Sequence, residues 1–125
     1  MNAASNIGKF PEADTPSFKQ HCLNLLEYQI LAMKPRLVIT LGRFVPSLIT
    51  DLSDNLAAWK TTKSIQKLDD QNLQLIKNVQ FKEMMATNFV VLTHPAQRHL
   101  NIRYRNYNNL SGHDAEIAML RYVIN

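Results

Sequence analysis

Two short apolar runs stand out in the hydrophobic pattern of the chain. Residues 36–42 and residues 89–93 are rich in β-branched, leucine and aromatic side chains. Runs of this length and composition are typical of strands that are buried on both faces, as in the middle of a parallel sheet. The pattern therefore predicts two core strands of a parallel sheet.

Residues 17–34 show the spacing of an amphipathic helix, since apolar side chains recur every three or four positions. Thr15 supplies a cap, and Pro16 stands at the first helical position, where proline is well tolerated. Pro35 ends the helix, because its ring clashes with the preceding turn. A helix followed at once by a buried strand is half of a βαβ unit, so we expect parallel strands joined by helices.

The rest of the chain gives weaker patterns. Residues 43–55 predict a helix, which residues 56–59 either continue or leave for a loop. Imperfect alternation in residues 64–68 and 73–81 predicts the two strands of a hairpin. Residues 114–124 predict a last helix. Ile117, Leu120 and Ile124 fall on one face of this helix, with Ala118 beside it.

These elements predict a single α/β domain over residues 1–125, in which residues 1–16 form an irregular N-terminal segment. Two core strands are few for a parallel sheet, because each such strand needs a neighbour on both sides. Three solutions stay open. The chain dimerises, adds the predicted hairpin to its sheet, or belongs with further strands that lie before Met1.

The charge balance points towards polyanions. The 125 residues carry a formal net charge of +4, and residues 98–105 hold three arginines and no acid. An ordinary solvated surface is the alternative interpretation of the same residues. No apolar run approaches the roughly 18 residues of a membrane helix, and no signal peptide pattern opens the sequence. We therefore expect a cytoplasmic protein without a membrane partner.

Cys22 is the only cysteine, which excludes an internal disulfide or a metal site built from several cysteines. A single thiol also suits a reducing compartment. Cys22 and His21 fall on or beside the apolar stripe of the predicted helix 17–34. We interpret them as core residues, with a catalytic role as the alternative.

The candidate chemistry lies where the second apolar run ends. His94 and Pro95 follow that strand directly, and ligands of open α/β sheets bind beyond the carboxyl ends of the strands. The residues that follow are basic and polar with tyrosines between them. They include Arg98, His99, Asn101, Arg103, Tyr104, Arg105 and Tyr107. The sequence therefore predicts a site at His94.

These motifs together resemble the carboxyl-terminal half of the uracil-DNA glycosylase superfamily. The resemblance rests on Cys22 with the helix after it, on residues 34–42 (KPRLVITLG) and on residues 92–96 (LTHPA). It continues through residues 101–105 (NIRYR) and 112–117 (GHDAEI). It implies a three-layer α/β/α fold around a small, mostly parallel sheet, which this chain would complete only in part.

The same resemblance implies a DNA-repair enzyme that removes uracil or a related damaged base by hydrolysing the N-glycosidic bond. His94 would donate a hydrogen bond to the base oxygen on which negative charge accumulates, and such a donor contributes about 3–4 kcal/mol. Asn2, Gly42, Pro95 and Ala96 would bind the base. An amide such as that of Asn2 can match the adjacent donor and acceptor of uracil.

The loop after His94 would bind DNA. Glycosylases of this superfamily insert side chains of this loop into the helix to keep the flipped nucleotide out of the stack. The residues expected to do so are Gln97, Arg98, His99 and Leu100. Arg103 and Arg105 would bind phosphates, while Tyr104 or Tyr107 would stack on bases or pack.

The sequence departs from the superfamily upstream. The first motif, which positions the attacking water and stacks on uracil, is absent, and residues 8–11 do not match it. We expect that motif before Met1, in a longer enzyme. No cofactor is expected, because the iron–sulfur cluster of some members needs four cysteines.

Two other functions remain open. In the first, the chain would be a non-catalytic α/β module that binds nucleic acid or a protein. In the second, it would be an assembly element that uses its sheet edge and residues 84–85.

Overall fold

A computed structural model describes residues 16–62, 64–81 and 86–124 of the chain. The helices are α1 (Pro16–Met33), α2 (Phe44–Leu48), α3 (Ile65–Asp70), α4 (Arg98–Asn101) and α5 (Gly112–Ile124). The strands are β1 (Leu37–Leu41), β2 (Leu75–Gln80), β3 (Ala86–Leu92), β4 (Asn106–Tyr107) and β5 (Leu110–Ser111). Short 3₁₀ turns occupy Thr50–Leu52, Asp54–Trp59, Pro95–Gln97 and Ile102–Tyr104.

The main sheet has the strand order β1-β3-β2. β1 and β3 are parallel neighbours, with Ile39 opposite Val90, so the predicted pairing of the two apolar runs is confirmed. β2 pairs with β3 in the antiparallel direction, which makes the sheet mixed. The chain is thus a small α/β protein, and a strand of the predicted hairpin does join the sheet. β4 and β5 form a separate two-stranded ribbon.

The predicted helix 43–55 is divided at Ser53. α2 ends at Leu48, and Ser53 has extended backbone angles, which no helix can continue through. The Ser53 hydroxyl accepts a hydrogen bond from the Asn55 N–H and donates one to the Gln80 carbonyl at 2.6 Å. The serine therefore caps the next 3₁₀ turn and ties it to β2.

The prediction of a strand at residues 64–68 is wrong, because this segment begins α3. Ser64 caps the helix through its hydroxyl, which accepts a hydrogen bond from the Lys67 N–H at 3.1 Å. Ile65 and Leu68 are three positions apart, and they meet the core from one side of the helix. The second predicted strand, residues 73–81, is confirmed as β2.

Two apolar clusters pack against the sheet, and alternate side chains of β3 belong to one or the other. The larger one surrounds Trp59 and Phe89, whose rings meet edge to face at 6.1 Å, and it includes Leu23 and Ile30 of α1. The Trp59 Nε1–H donates to the Leu73 carbonyl at 2.8 Å, so this indole is fully buried without an unpaired donor. The smaller cluster joins Val90 to α5.

The apolar face that the sequence predicts for α5 is not the face that the helix buries. Ile117 and Ile124 are 46% and 67% exposed, and Leu120 is only partly buried. The side chains that α5 buries are Ala115, Glu116, Met119 and Val123. A carboxylate therefore lies on the face that α5 buries, and the site described below explains why.

The predicted helix 17–34 is confirmed as α1. Its His21 is exposed, so the interpretation of His21 as a core residue is wrong, while Cys22 is partly buried. No helix in the part of the chain that the structure describes is long and apolar enough to cross a membrane. Residues 84–85 and the predicted irregular segment, apart from Pro16, lie outside the described residues.

Candidate functional site

His94 and Gly42 lie side by side at the carboxyl ends of β3 and β1. The Gly42 N–H donates to the Leu92 carbonyl at 2.9 Å, which extends the strand pairing by one residue. A Cβ added at Gly42 would lie 3.2 Å from the His94 Cβ, and Gly42 has a φ of +86°. Both the close approach and the backbone angle require glycine here. The structure thus brings two of the predicted site residues together.

The hydrogen bonds of His94 fix which ring nitrogen carries the proton. Its Nδ1 accepts a hydrogen bond from the Ala96 N–H at 3.1 Å, in the 3₁₀ turn that Pro95 opens. A neutral imidazole whose Nδ1 is an acceptor carries its proton on Nε2. Among the described residues, Nε2 has no hydrogen-bond partner. His94 therefore presents an unused donor.

Behind His94 lies a buried carboxylate, that of Glu116 on α5. Its Oε2 accepts hydrogen bonds from the Thr93 N–H and the Thr93 hydroxyl, both at 2.8 Å, and from Arg105 Nη1 at 2.7 Å. Its Oε1 accepts one from Arg98 Nη1 at 2.5 Å. Glu116 thus joins the end of β3 to the loop that follows it.

Arg105 is enclosed by two carboxylates. Besides Glu116, it binds Asp69 of α3 with two hydrogen bonds, from Nε at 2.9 Å and from Nη2 at 3.1 Å. The Arg105 side chain is 2% exposed. The prediction that Arg105 binds DNA phosphates is therefore wrong, because the guanidinium is buried and its donors are occupied.

The two carboxyl groups that bind Arg105 have opposite pKa shifts. Burial raises the pKa of Asp69, and the hydrogen bonds from Arg105 and from the Asn106 N–H offset this only in part. Burial would also raise the pKa of Glu116, but hydrogen bonds from Thr93 and Arg98 outweigh it, so that pKa lies below its ordinary value. The extra donors around Glu116 account for the difference.

Arg98 is only partly available for binding. Its side chain is 36% exposed and pairs with Glu116, and its Nη2 lies 3.0 Å from His113 Nδ1. A guanidinium can only donate, so His113 Nδ1 accepts. Arg98 could contact DNA only after exchanging these partners, and its predicted role stays a prediction.

Other predicted DNA-binding residues lie on the surface. His99 is exposed, and Leu100 is 56% exposed. The Arg103 guanidinium lies over the Tyr104 ring at 4.8 Å, with its Nη2 2.9 Å from the tyrosine oxygen. Gln97 is partly buried and accepts a hydrogen bond from the Asn101 amide at 3.1 Å. Leu100, Arg103 and Tyr104 form an exposed patch on this loop.

The remaining predicted residues differ in where they lie. Pro95 and Ala96 are exposed in the turn beside His94, whereas Tyr107 packs against the smaller core cluster. Asn2 lies outside the described residues. A groove of about 490 Å³ is lined by residues of α1 and of the 51–55 and 80–81 segments, and it contains none of the predicted site residues.

Sequence reasoning missed two residues of this site. Arg43 follows Gly42, is exposed, and lies 4.6 Å from the centre of the Phe44 ring. Its position directly after the glycine could have revealed it. Glu116 could have been found from its spacing of three and seven residues to Met119 and Val123, which places it on the same helix face.

The chain matches no protein-family model, no curated protein and no solved structure in the comparisons made with them. The resemblance to uracil-DNA glycosylases therefore depends on the residues themselves. Among the residues the structure describes, no group of three or more histidine, cysteine or acidic side chains could hold a metal ion.

Proposed function

We propose that this chain is a DNA-repair glycosylase of the uracil-DNA glycosylase type, or part of one, with a three-layer α/β/α fold. The observation that carries the proposal is the state of His94. Its Nδ1 is bound to the Ala96 N–H, its Nε2 is unused by the described residues, and the ring packs against Gly42 at the sheet edge.

The chemistry that this donor suits is cleavage of an N-glycosidic bond by water. The bond electrons leave with the base, so negative charge develops on a base oxygen while water adds to the sugar carbon. A neutral imidazole can donate its Nε2–H to the oxygen on which that charge develops. Preorganised donors of this kind contribute about 3–4 kcal/mol to the transition state.

DNA binding would come from exposed cations close in sequence to the site. Arg103 combines an exposed guanidinium with the exposed ring of Tyr104, and Arg43, directly after Gly42, supplies a second exposed guanidinium. Guanidinium groups bind phosphates, and rings stack on unpaired bases. Leu100 is the exposed apolar side chain suited to enter a gap in the base stack.

A second candidate function is nucleic-acid binding without cleavage. It is favoured by Glu116, whose two carboxylate oxygens are both engaged by Thr93, Arg98 and Arg105. A carboxylate so occupied is poorly placed to activate a water molecule, and the superfamily motif that positions the water is absent from this sequence. In this alternative, His94 and the basic residues 98–105 bind a nucleic acid and leave its glycosidic bonds intact.

Incubation with single- and double-stranded oligonucleotides that contain one uracil separates the two functions. We expect the wild-type protein to create abasic sites and His94→Gln to lower the excision rate by about 10²–10³-fold. His21→Gln is the matched control, since this exposed histidine lies on α1.

Salt-sensitive binding of the wild type without abasic sites would support the second function instead. Excision that His94→Gln leaves unchanged would remove His94 from the proposed role.

A further inference from the structure

We propose that Glu116 is a positioning residue that holds the His94 ring in one tautomer and one orientation, acting through Thr93. This inference rests on the proposed function for the use that the ring serves. The geometry on which it stands is that of the strand end. The last paired residues of β1 and β3 are Leu41 and Leu92, so Thr93 is one residue beyond the ladder.

Beyond the ladder, the Thr93 N–H needs another acceptor, because a buried amide without a partner is costly. Thr93 is buried, and the Glu116 carboxylate takes both its N–H and its hydroxyl at 2.8 Å on a single oxygen. Two hydrogen bonds to one residue fix both its backbone and its side chain. The residue so fixed directly precedes His94.

The second carboxylate oxygen of Glu116 holds the other side of the histidine turn. It accepts from Arg98, four residues after His94. Between these two anchors lies the turn in which the Ala96 N–H donates to His94 Nδ1. A single carboxylate thus holds both ends of the segment that determines which ring nitrogen is the acceptor, and so leaves Nε2 as the donor.

A purely structural role for this carboxylate would affect stability and leave the ring unchanged. Two threonines, Thr87 in β3 and Thr93 directly after it, separate these roles. Thr93→Val removes one hydrogen bond to Glu116 and no charge. Thr87→Val removes one hydrogen bond to the Pro35 carbonyl, at the opposite end of β3, and Thr87 is equally buried. The two variants are therefore matched in chemistry and differ in their distance from His94.

The measurement is the nitrogen-15 NMR spectrum of the His94 ring in the protein without DNA, at mildly alkaline pH. We expect the wild type and Thr87→Val to show a protonated Nε2 and an acceptor Nδ1. In Thr93→Val and Glu116→Gln, the two nitrogen shifts should move towards each other as the second tautomer becomes populated. Glu116→Gln leaves an amide that cannot satisfy Arg98, Arg105 and Thr93 together.

Unchanged ring shifts in folded Thr93→Val would overturn the inference, and so would equal changes in Thr87→Val. Should Glu116→Gln fail to fold, Thr93→Val decides alone. Because the spectrum needs no substrate, the outcome is independent of excision. A wild type that excises nothing, but whose ring responds to Thr93→Val, refutes the proposed function and supports the inference.

Discussion

Arg103 and Arg105 are two residues apart in one basic run, yet the fold uses them in opposite ways. Arg103 is exposed and lies over Tyr104, whereas Arg105 is 2% exposed and donates to Asp69 and Glu116. The difference comes from elsewhere in the chain, because α3 and α5 bring carboxylates to one arginine only. A basic run therefore contains both binding and structural cations, and charge alone does not distinguish them.

The sharpest way to break this comparison is to remove each guanidinium in turn. Arg105→Met leaves two buried carboxylates without their shared partner, so we expect a loss of about 3–5 kcal/mol in the free energy of unfolding. Arg103→Met should change it by no more than about 0.5 kcal/mol. Urea denaturation followed by circular dichroism measures both. Equal losses in the two variants would contradict the structural role of Arg105.

Glu116 gives the second test, through the pH dependence of stability. The folded pKa of Glu116 lies below its ordinary value, since its hydrogen bonds outweigh desolvation. Its contribution is therefore complete above the ordinary value of 4.5 and is lost as the pH falls through the lowered pKa. We expect Glu116→Gln to cost about 1–3 kcal/mol near neutral pH. The difference in the free energy of unfolding between wild type and Glu116→Gln should become smaller in acid.

Asp69→Asn is the control for that experiment, because the pKa of Asp69 is shifted in the opposite direction. Burial raises the pKa of Asp69, so its contribution declines as the pH rises through the raised value. The difference between wild type and Asp69→Asn should widen in acid. Urea titrations across the acid range measure both curves. Narrowing of both differences in acid would contradict the raised pKa of Asp69, and widening of both would contradict the lowered pKa of Glu116.

The smallest expected effect concerns Arg103 as a DNA contact. Arg103→Ala should weaken oligonucleotide binding a few-fold and reduce the slope of log affinity against log salt by about one. Arg121→Ala, an exposed arginine on α5, is the matched control and should leave the slope unchanged. Fluorescence anisotropy at several salt concentrations gives the slopes. An unchanged slope in Arg103→Ala would show that Arg103 does not contact DNA.

The strands β1 and β3 could be predicted, because continuous apolar runs at 36–42 and 89–93 have few alternatives to a strand. The predicted burial on both faces is confirmed for β3 and is wrong for β1, which pairs on one side only in the described sheet and leaves Ile39 and Leu41 46% and 41% exposed. Residues 64–68 were predicted wrongly because their alternation is imperfect in so short a segment, and Ile65 and Leu68, three residues apart, share a face only in a helix. The Ser64 cap decides for the helix, and that hydrogen bond is visible only in the structure.

The candidate site divides in the same way. The closeness of His94 and Gly42 follows from parallel strands of known register, so the sequence could predict it. The burial of Arg105 could not be predicted, because it depends on carboxylates 36 and 11 residues away. Periodicity treats Glu116 as polar and solvated, and only its three partners make burial on α5 tolerable.

The contact between Gly42 and His94 restricts how this protein can change. A methyl group at position 42 would lie 3.2 Å from the His94 Cβ, so the histidine would have to shift slightly, and the backbone would be strained at a φ of +86°. The position of the His94 ring therefore depends on the absence of a Cβ at Gly42, at the end of the neighbouring strand β1. A change that moves the ring without straining the backbone is therefore expected at the residues behind His94 and not at position 42.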